Sequence, residues 1–310
     1  MAADSILAPC CATIGFFDGV HLGHRSLLAQ LTETARKRGM ASCVVTFSNH
    51  PRQTVQPHWQ PQLLCTAREK AVLLRAAGVD RVEMLHFDAA MASLPAREFM
   101  LTVLRQRLGA AVLITGYDNR FGHRTAENAG EGFADYVSYG REMGIEVLAS
   151  SPFDAGQWRV SSSLVRRMLA EGRVDEAAKC LGRPYSISGT VVEGHRIGHR
   201  IGFPTANLQP EEPLQTVPEN GVYAVQAVVD DNGSAPLRGV LNIGTRPTFG
   251  GHRRTLETHL LDFSGDIYGH GLRLSFVARL REERFFPSAD DLQRQLRDDI
   301  AQAEVLFGRS

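Results

Sequence analysis

Long apolar runs are missing from this chain. Nowhere do ~18 apolar residues follow one another without a charge, the length a membrane-crossing helix needs, so no spanning helix is expected. The opening "MAADSILAPCCATI" has no cationic start and no long apolar stretch, which argues against a signal peptide. Net charge is missing too: 34 Lys+Arg balance 34 Asp+Glu. A global basic field for nucleic acid or an anionic membrane is thereby excluded, and any anion binding has to be local. Aromatic residues are only 7% of the chain, which weakens a nucleic-acid reader built on stacking. The five cysteines, Cys10, Cys11, Cys43, Cys65 and Cys180, form no CxxC pair. Scattered thiols suit a reducing cytoplasm better than a disulfide framework or a zinc site, and buried apolar packing is their ordinary use.

What is present falls into two halves, as 310 residues predict. Up to about Leu181, short apolar runs ("CATIGF", "ASCVVTF", "RVEMLHF", "AAVLITG", "IEVLAS") alternate with amphipathic helical stretches such as "RSLLAQLTETARKRG" and "AREFMLTVLRQRLG". That alternation means βαβ units and a parallel sheet covered on both faces. The stretches "SSLVRRMLAEG" and "VDEAAKCLG" are expected to close this half. After "GRPY" the period drops to two in "SISGTVVEG", "GVYAVQAVVD", "LRGVLNIG", "TLETHLLDF" and "LRLSFVARL", which suggests a small antiparallel barrel or sandwich. A final helix, "SADDLQRQLRDDIAQAEVLFG", carries a Ser288 cap and acids in its first turn. The boundary is placed near Gly182, giving domains 1–182 and 183–310.

In "GFFDGVHLGHR", Gly15 to Arg25, three glycines, two histidines and an aspartate occupy the point where the first strand turns into the first helix. The stretch fits neither GxxxxGK[ST] nor GxGxxG. Free N–H groups and the helix dipole make such a place receptive to anions, His21 and His24 would share one helical face, and Gly23 leaves room for a phosphate. Two imidazoles there suit phosphoryl or nucleotidyl transfer. Half a metal site or a structural pair fits the spacing as well. "TFSNHPR" follows the second strand, "ITGYDNRFGHRTAENAG" holds Asp118 and Arg120, and "VSSSLVRRML" sets serines and Arg166 at a helix start, ordinarily a simple cap.

In the second half, "GTVVEGHRIGHRIGFPTANL" repeats glycine at positions 194, 198 and 202. A plain hairpin loop explains the glycines alone, but "PTAN" adds the Thr205 hydroxyl and the Asn207 amide oxygen, hard ligands suited to Mg²⁺. Glu257 lies in a strand with apolar neighbours, where a carboxylate is costly unless paired or used.

These stretches together resemble the bacterial bifunctional riboflavin kinase/FMN adenylyltransferase (FAD synthetase) family. "GFFDGVHLGH", "TFSNHP", "GYDNRFG" and "VSSSLVRRMLAEGRVDEAAKCLGRPY" resemble its adenylyltransferase half. "GHRIGHRIGFPTANL", "NGVYAV", "GVLNIGTRPTF", "LETHLLDFSGDIYG" and "LREERFF" resemble its kinase half. The resemblance implies a Rossmann-like nucleotidyltransferase-type α/β domain, then an antiparallel Greek-key β-barrel with a C-terminal helix. It implies that riboflavin and ATP give FMN in the barrel, and that FMN and ATP give FAD and pyrophosphate in the first domain, with Mg²⁺. Catalytic roles would fall to His21, His24 and Glu257. Nucleotide contacts would come from Gly15, Phe16, Phe17, Asp18, Gly23, Ser162, Ser163 and Arg166 in one site. In the other they would come from Gly194, Gly198, Gly202, Pro204, Thr205 and Asn207, with Thr205 and Asn207 also holding the metal. Flavin contacts would come from Asn49, Pro51, Asp118, Arg120 and Arg281. The expected partners are small molecules, without nucleic acid or membrane, in the cytoplasm; a homo-oligomer is left open. Phe16 stands where most relatives carry Asn, Asn49 where Pro is common and Asn119 where Phe is common. Those departures support an alternative, a working kinase beside a degenerate or differently specific first domain. A third reading makes the barrel a passive flavin-binding module.

Overall fold

The computed structural model describes residues 8–116, 120–126, 128–153, 159–194, 202–230, 235–248 and 251–308. The chain divides into two compact units, residues 1–61 with 67–161, and residues 62–66 with 162–310.

In the first unit, β1 (Cys10–Ile14), β2 (Ala41–Phe47), β3 (Arg81–Leu85), β4 (Ala110–Thr115) and β5 (Glu146–Ala149) form a parallel sheet in the order β3-β2-β1-β4-β5. Helix α1 (Leu22–Lys37) links β1 to β2, α2 (Pro51–Val55) and α3 (Ala67–Ala76) link β2 to β3, and α4 (Ala89–Ser93) and α5 (Ala96–Phe99) lead toward β4. The helix that continues α5 runs as a wider π-helix over Met100–Arg107, where a regular α-helix is expected from periodicity. Helix α6 (Phe133–Met143) precedes β5. Successive residues of one strand feed opposite cores: Cys10, Ala12 and Ile14 pack in one cluster, Cys11 in the other. Burial on both faces is why these strands read as unbroken apolar runs. The sheet order reverses between β1 and β4, so the crevice at the carboxyl end of β1 is the place where a doubly wound sheet accepts ligands.

In the second unit, α7 (Ser162–Ala170) and α8 (Val174–Leu181) lead into six strands. These are β6 (Ser186–Val192), β7 (Ala206–Pro210), β8 (Gly221–Val229), β9 (Leu237–Thr248), β10 (Gly251–Leu260) and β11 (Gly271–Arg281). They close as a barrel in the order β10-β7-β6-β11-β8-β9, with every pairing antiparallel, so the sandwich alternative falls away. Closure leaves no open edge for chance pairing. The two helices expected to close the first half group instead with the barrel: Glu219 N donates to Leu169 O at 2.9 Å, and Arg279 packs against Gly172. Helix α9 (Ala289–Phe307) is capped by Ser288, whose side chain accepts from Asp291 N. Its Ala303 is buried against Val222, Ala224 and Val240 of the barrel. All five cysteines are buried free thiols. Among the described residues, no helix is long and apolar enough to cross a membrane.

Candidate active sites

After β1 the chain makes a tight, partly left-handed turn. Phe17 has φ 53° and Val20 φ 41°, conformations uncommon for residues with a side chain. Local strain of this kind persists where the surroundings over-determine it. The turn delivers His21 to the N-cap of α1, where its Nδ1 accepts from His24 N at 3.2 Å. The first histidine of the motif therefore caps its own helix. The two imidazoles stack at 3.6 Å between centroids, and Phe17 meets His24 edge-on at 5.1 Å. A Cβ on Gly23 would come within 3.2 Å of the His21 ring, so glycine is what lets the ring lie across the helix start. Burial, then the charges of His21 and Lys70, hold His24 well below the usual histidine range. Its Nδ1 is buried without a hydrogen-bond partner. Asp18 is buried in the same turn.

Lys70, which was not anticipated from the sequence, is the other charged group here. Only 2% exposed, it donates from Nζ to Phe16 O at 3.0 Å and Phe47 O at 2.7 Å, and it stands 3.9 Å over the Phe16 ring. The ammonium thus ties together the carboxyl ends of the first two strands. Its trace in the sequence is position: it lies four residues before buried Leu74, on the apolar stripe of α3. The Phe16 ring also meets His50 at 4.5 Å, and His50 meets Trp59 at 4.7 Å.

The expected flavin contacts of this unit take up different places. Asn49 donates to Thr54 Oγ1 and Phe87 O and accepts from Phe87 N at 2.8 Å, so its amide braces the loop after β3. Pro51 opens α2, and Arg120 is exposed. Asp118 and Asn119 lie outside the described residues. Ser162 and Ser163 begin α7 in the second unit, and Arg166 Nε donates to Gln62 O there.

The barrel builds its own site. Glu257 on β10 pairs with Asn207 on β7 and with Asn242 on β9. Thr255 Oγ1 donates to Glu257 Oε1 at 3.1 Å. Thr205, Asn242, Glu257, His259 and Glu283 bring polar groups to one cavity of about 310 Å³. Its apolar walls come from the barrel (Val222, Val240, Phe203) and from α9 (Leu292, Leu296, Ile300). Arg281, Arg284 and Phe286 line it as well, with both guanidinium groups near the Phe286 ring, at 5.5 and 4.9 Å. A concave, largely apolar cavity with a few polar groups is the usual form of a small-molecule site. The α9 wall, Arg284, Phe286, Asn242 and Glu283 were not anticipated as site residues.

Asn207 does not line the cavity, but its amide occupies the space where a Cβ on Gly194 would stand, 2.2 Å from Nδ2. A side chain at 194 would displace that amide. Gly202 turns with φ 80°. Gly198, within 195–201, lies outside the described residues. The donor set fits Mg²⁺: a hydroxyl and an amide oxygen beside a carboxylate leave most positions to nucleotide phosphates and water, as this ion prefers. Among the described residues no cluster of three His, Cys, Asp or Glu could hold a metal by itself.

Comparisons with known proteins match both halves. The FAD synthetase family model matches residues 3–164 and the riboflavin kinase family model residues 181–307. The bifunctional riboflavin kinase/FMN adenylyltransferase of Escherichia coli K12 is 40% identical over 301 residues, covering 96% of this chain and 93% of that protein. The Pseudomonas fluorescens protein of the same name is 41% identical over 303 residues, covering 97% and 94%. Among solved structures, one described as a macrolide-efflux protein from Streptococcus pneumoniae superimposes with a TM-score of 0.85 at 29% identity, covering 96% of this chain and 94% of that one. With both modules matched along nearly their whole length, neither a degenerate first domain nor a passive barrel is favoured. The chain belongs to the bifunctional riboflavin kinase/FMN adenylyltransferase family, making FMN from riboflavin and ATP, then FAD from FMN and a second ATP.

Proposed function

We propose that the two reactions are divided between the α/β domain and the barrel domain, with His21 and His24 serving adenylyl transfer and Glu257 serving phosphoryl transfer. In the first domain the ATP phosphates lie at the start of α1. There the helix dipole, the His21 Nε2 edge and His24 offset the charge that develops as pyrophosphate leaves. Gly15, Phe16, Phe17, Asp18 and Gly23 shape that turn around the nucleotide. Pro51, Asp118 and Arg120, with the braced Asn49, border the flavin.

In the barrel, Glu257 orients the riboflavin 5′-hydroxyl and accepts its proton. Phosphoryl transfer is loose, so that proton need move only late. Thr205 and Asn207 would hold Mg²⁺ together with the nucleotide phosphates, with Gly194, Gly198, Gly202 and Pro204 shaping the loop around them. The ion supplies charge neutralisation when bound. The isoalloxazine lies in the cavity beside Arg281. The observation that carries this reading is the meeting of Thr205 and Glu257 in one cavity that also has apolar lining residues from the barrel and α9. The balanced charge and buried free thiols support small-molecule work in a reducing cytoplasm.

Two variants test the division. Glu257→Ala should lose FMN formation by about 10²-fold or more while still converting added FMN to FAD, and His24→Ala should do the reverse. Loss of both activities in either folded variant would show that one site serves both reactions.

A further inference from the structure

We propose that His259 is a positioning residue for phosphoryl transfer, holding the Pro204 carbonyl and with it the nucleotide-binding stretch Thr205–Asn207 against the strand that carries Glu257. The inference rests on the assignment of phosphoryl transfer to Thr205, Asn207 and Glu257.

Three observations lead to it. Among the described residues, the ladder between β10 and β7 ends at the pair Thr258–Ala206. Thr205 lies one residue beyond that end, so sheet hydrogen bonding does not fix its place. Pro204, the next residue back, has no N–H to offer a ladder in any case. Here the imidazole of His259 takes over: its Nδ1 is 2.8 Å from Pro204 O. A carbonyl oxygen only accepts, so the proton of that bond sits on Nδ1. The Phe203 ring meets the imidazole edge-on at 5.6 Å. The histidine therefore extends the attachment of β7 to β10 past the last backbone pair, by one side chain.

Its place on the strand gives that attachment consequence. His259 follows Glu257 by two residues, so both side chains stand on the same face of β10, and both line the cavity with Thr205. The bond sets the distance between the segment presenting the nucleotide's hydroxyl ligand and the strand presenting the carboxylate. Transfer depends on that distance, since a displacement of ~1 Å can cost about a hundredfold in rate.

The two ring nitrogens make the test specific. An asparagine amide can donate from near the Nδ1 position, whereas a glutamine amide reaches toward the Nε2 position. Kinase kinetics and backbone hydrogen exchange at residues 203–207 are measured on the full chain for His259→Ala, His259→Asn and His259→Gln, with Thr205→Ala as reference. His259→Ala should raise KM for MgATP and lower kcat/KM by about ten- to a hundredfold. KM for riboflavin should rise less than KM for MgATP, and the amides of Thr205 and Ala206 should exchange faster. His259→Asn should restore both readouts, and His259→Gln should not. FMN adenylylation reports that each variant is folded.

Recovery by glutamine but not asparagine would move the role to Nε2 and overturn the proposal. Unchanged exchange and unchanged KM for MgATP in His259→Ala would overturn it as well, provided that Thr205→Ala loses kinase activity. Full kinase activity in Thr205→Ala would remove the underlying assignment and the inference with it.

Discussion

Arg281 grips Asp299 with two of its nitrogens. Nε lies 2.9 Å from Oδ1 and Nη2 lies 2.8 Å from Oδ2, while Gln295 Nε2 adds a donor 2.7 Å from Oδ1. Asp299 is 1% exposed and sits on α9, the helix whose Leu292, Leu296 and Ile300 wall the barrel cavity. The pair thus fastens the wall to the last strand of the barrel. Removing one partner of a buried pair strands the other charge, at a cost of about 3–5 kcal/mol. Asp299→Ala should accordingly lower the thermal midpoint of the chain and raise KM for riboflavin, with KM for FMN in the adenylyl reaction unchanged. Scanning calorimetry and the two separate assays check this.

Lys70 predicts the opposite selectivity. Lys70→Met keeps length and apolar bulk but removes the donor to Phe16 O and Phe47 O. Phe16 O would retain its bond from Thr46 Oγ1 at 3.0 Å, while Phe47 O would lose a charged donor. Hydrogen bonds to charged groups contribute ~1.5–3 kcal/mol, so FAD formation should fall by about tenfold or more. Riboflavin phosphorylation should hold, and assays of both activities on one preparation compare them directly.

The position of His24 sets a pH dependence. Its folded form gives up its proton well below 6.5, whereas the unfolded chain does so near 6.5. Between those values the unfolded state binds more protons, so stability rises with pH through that window and falls as the solution is acidified. ATP brings negative charge to the ring and should move its midpoint upward. Imidazole NMR titration of the free and ATP-bound protein measures both shifts. A midpoint at or above 6.5 without nucleotide would contradict the packing described for this ring.

Gly194→Ala tests the crowding at Asn207. The added methyl would stand 2.2 Å from Nδ2 and 2.8 Å from Oδ1, so the amide has to turn away. Kinase kcat/KM should drop by about ten- to a hundredfold while circular dichroism reports an intact barrel and adenylylation continues.

Local features carried much of this in the sequence. The change of period after "GRPY" separates parallel sheet from barrel, because a strand shows alternate faces and a helix does not. The glycine and histidine spacing in residues 15–25 marks the strand-to-helix turn, because glycine permits the tight backbone such a turn needs and a histidine can cap the helix that follows. "PTAN" and the carboxylate of Glu257 likewise stood out, being hard oxygen donors among apolar strands.

What stayed hidden depends on contacts between distant residues. Nothing local says that the Asn49 amide is used by the backbone of Phe87, or that Lys70 reaches from α3 to the ends of β1 and β2. An apolar stripe records that a face is buried without recording against what. So α7 and α8 read equally well as the end of the first half, although they pack with the barrel, and α9 gave no sign that it walls a ligand cavity. The barrel strands carried the same alternation a sandwich would, and closure was decided by the pairing of β10 with both β7 and β9. Residue type and spacing fixed which chemistry the chain carries; tertiary pairing fixed which side chains hold that chemistry in place, because periodicity encodes burial but not partners.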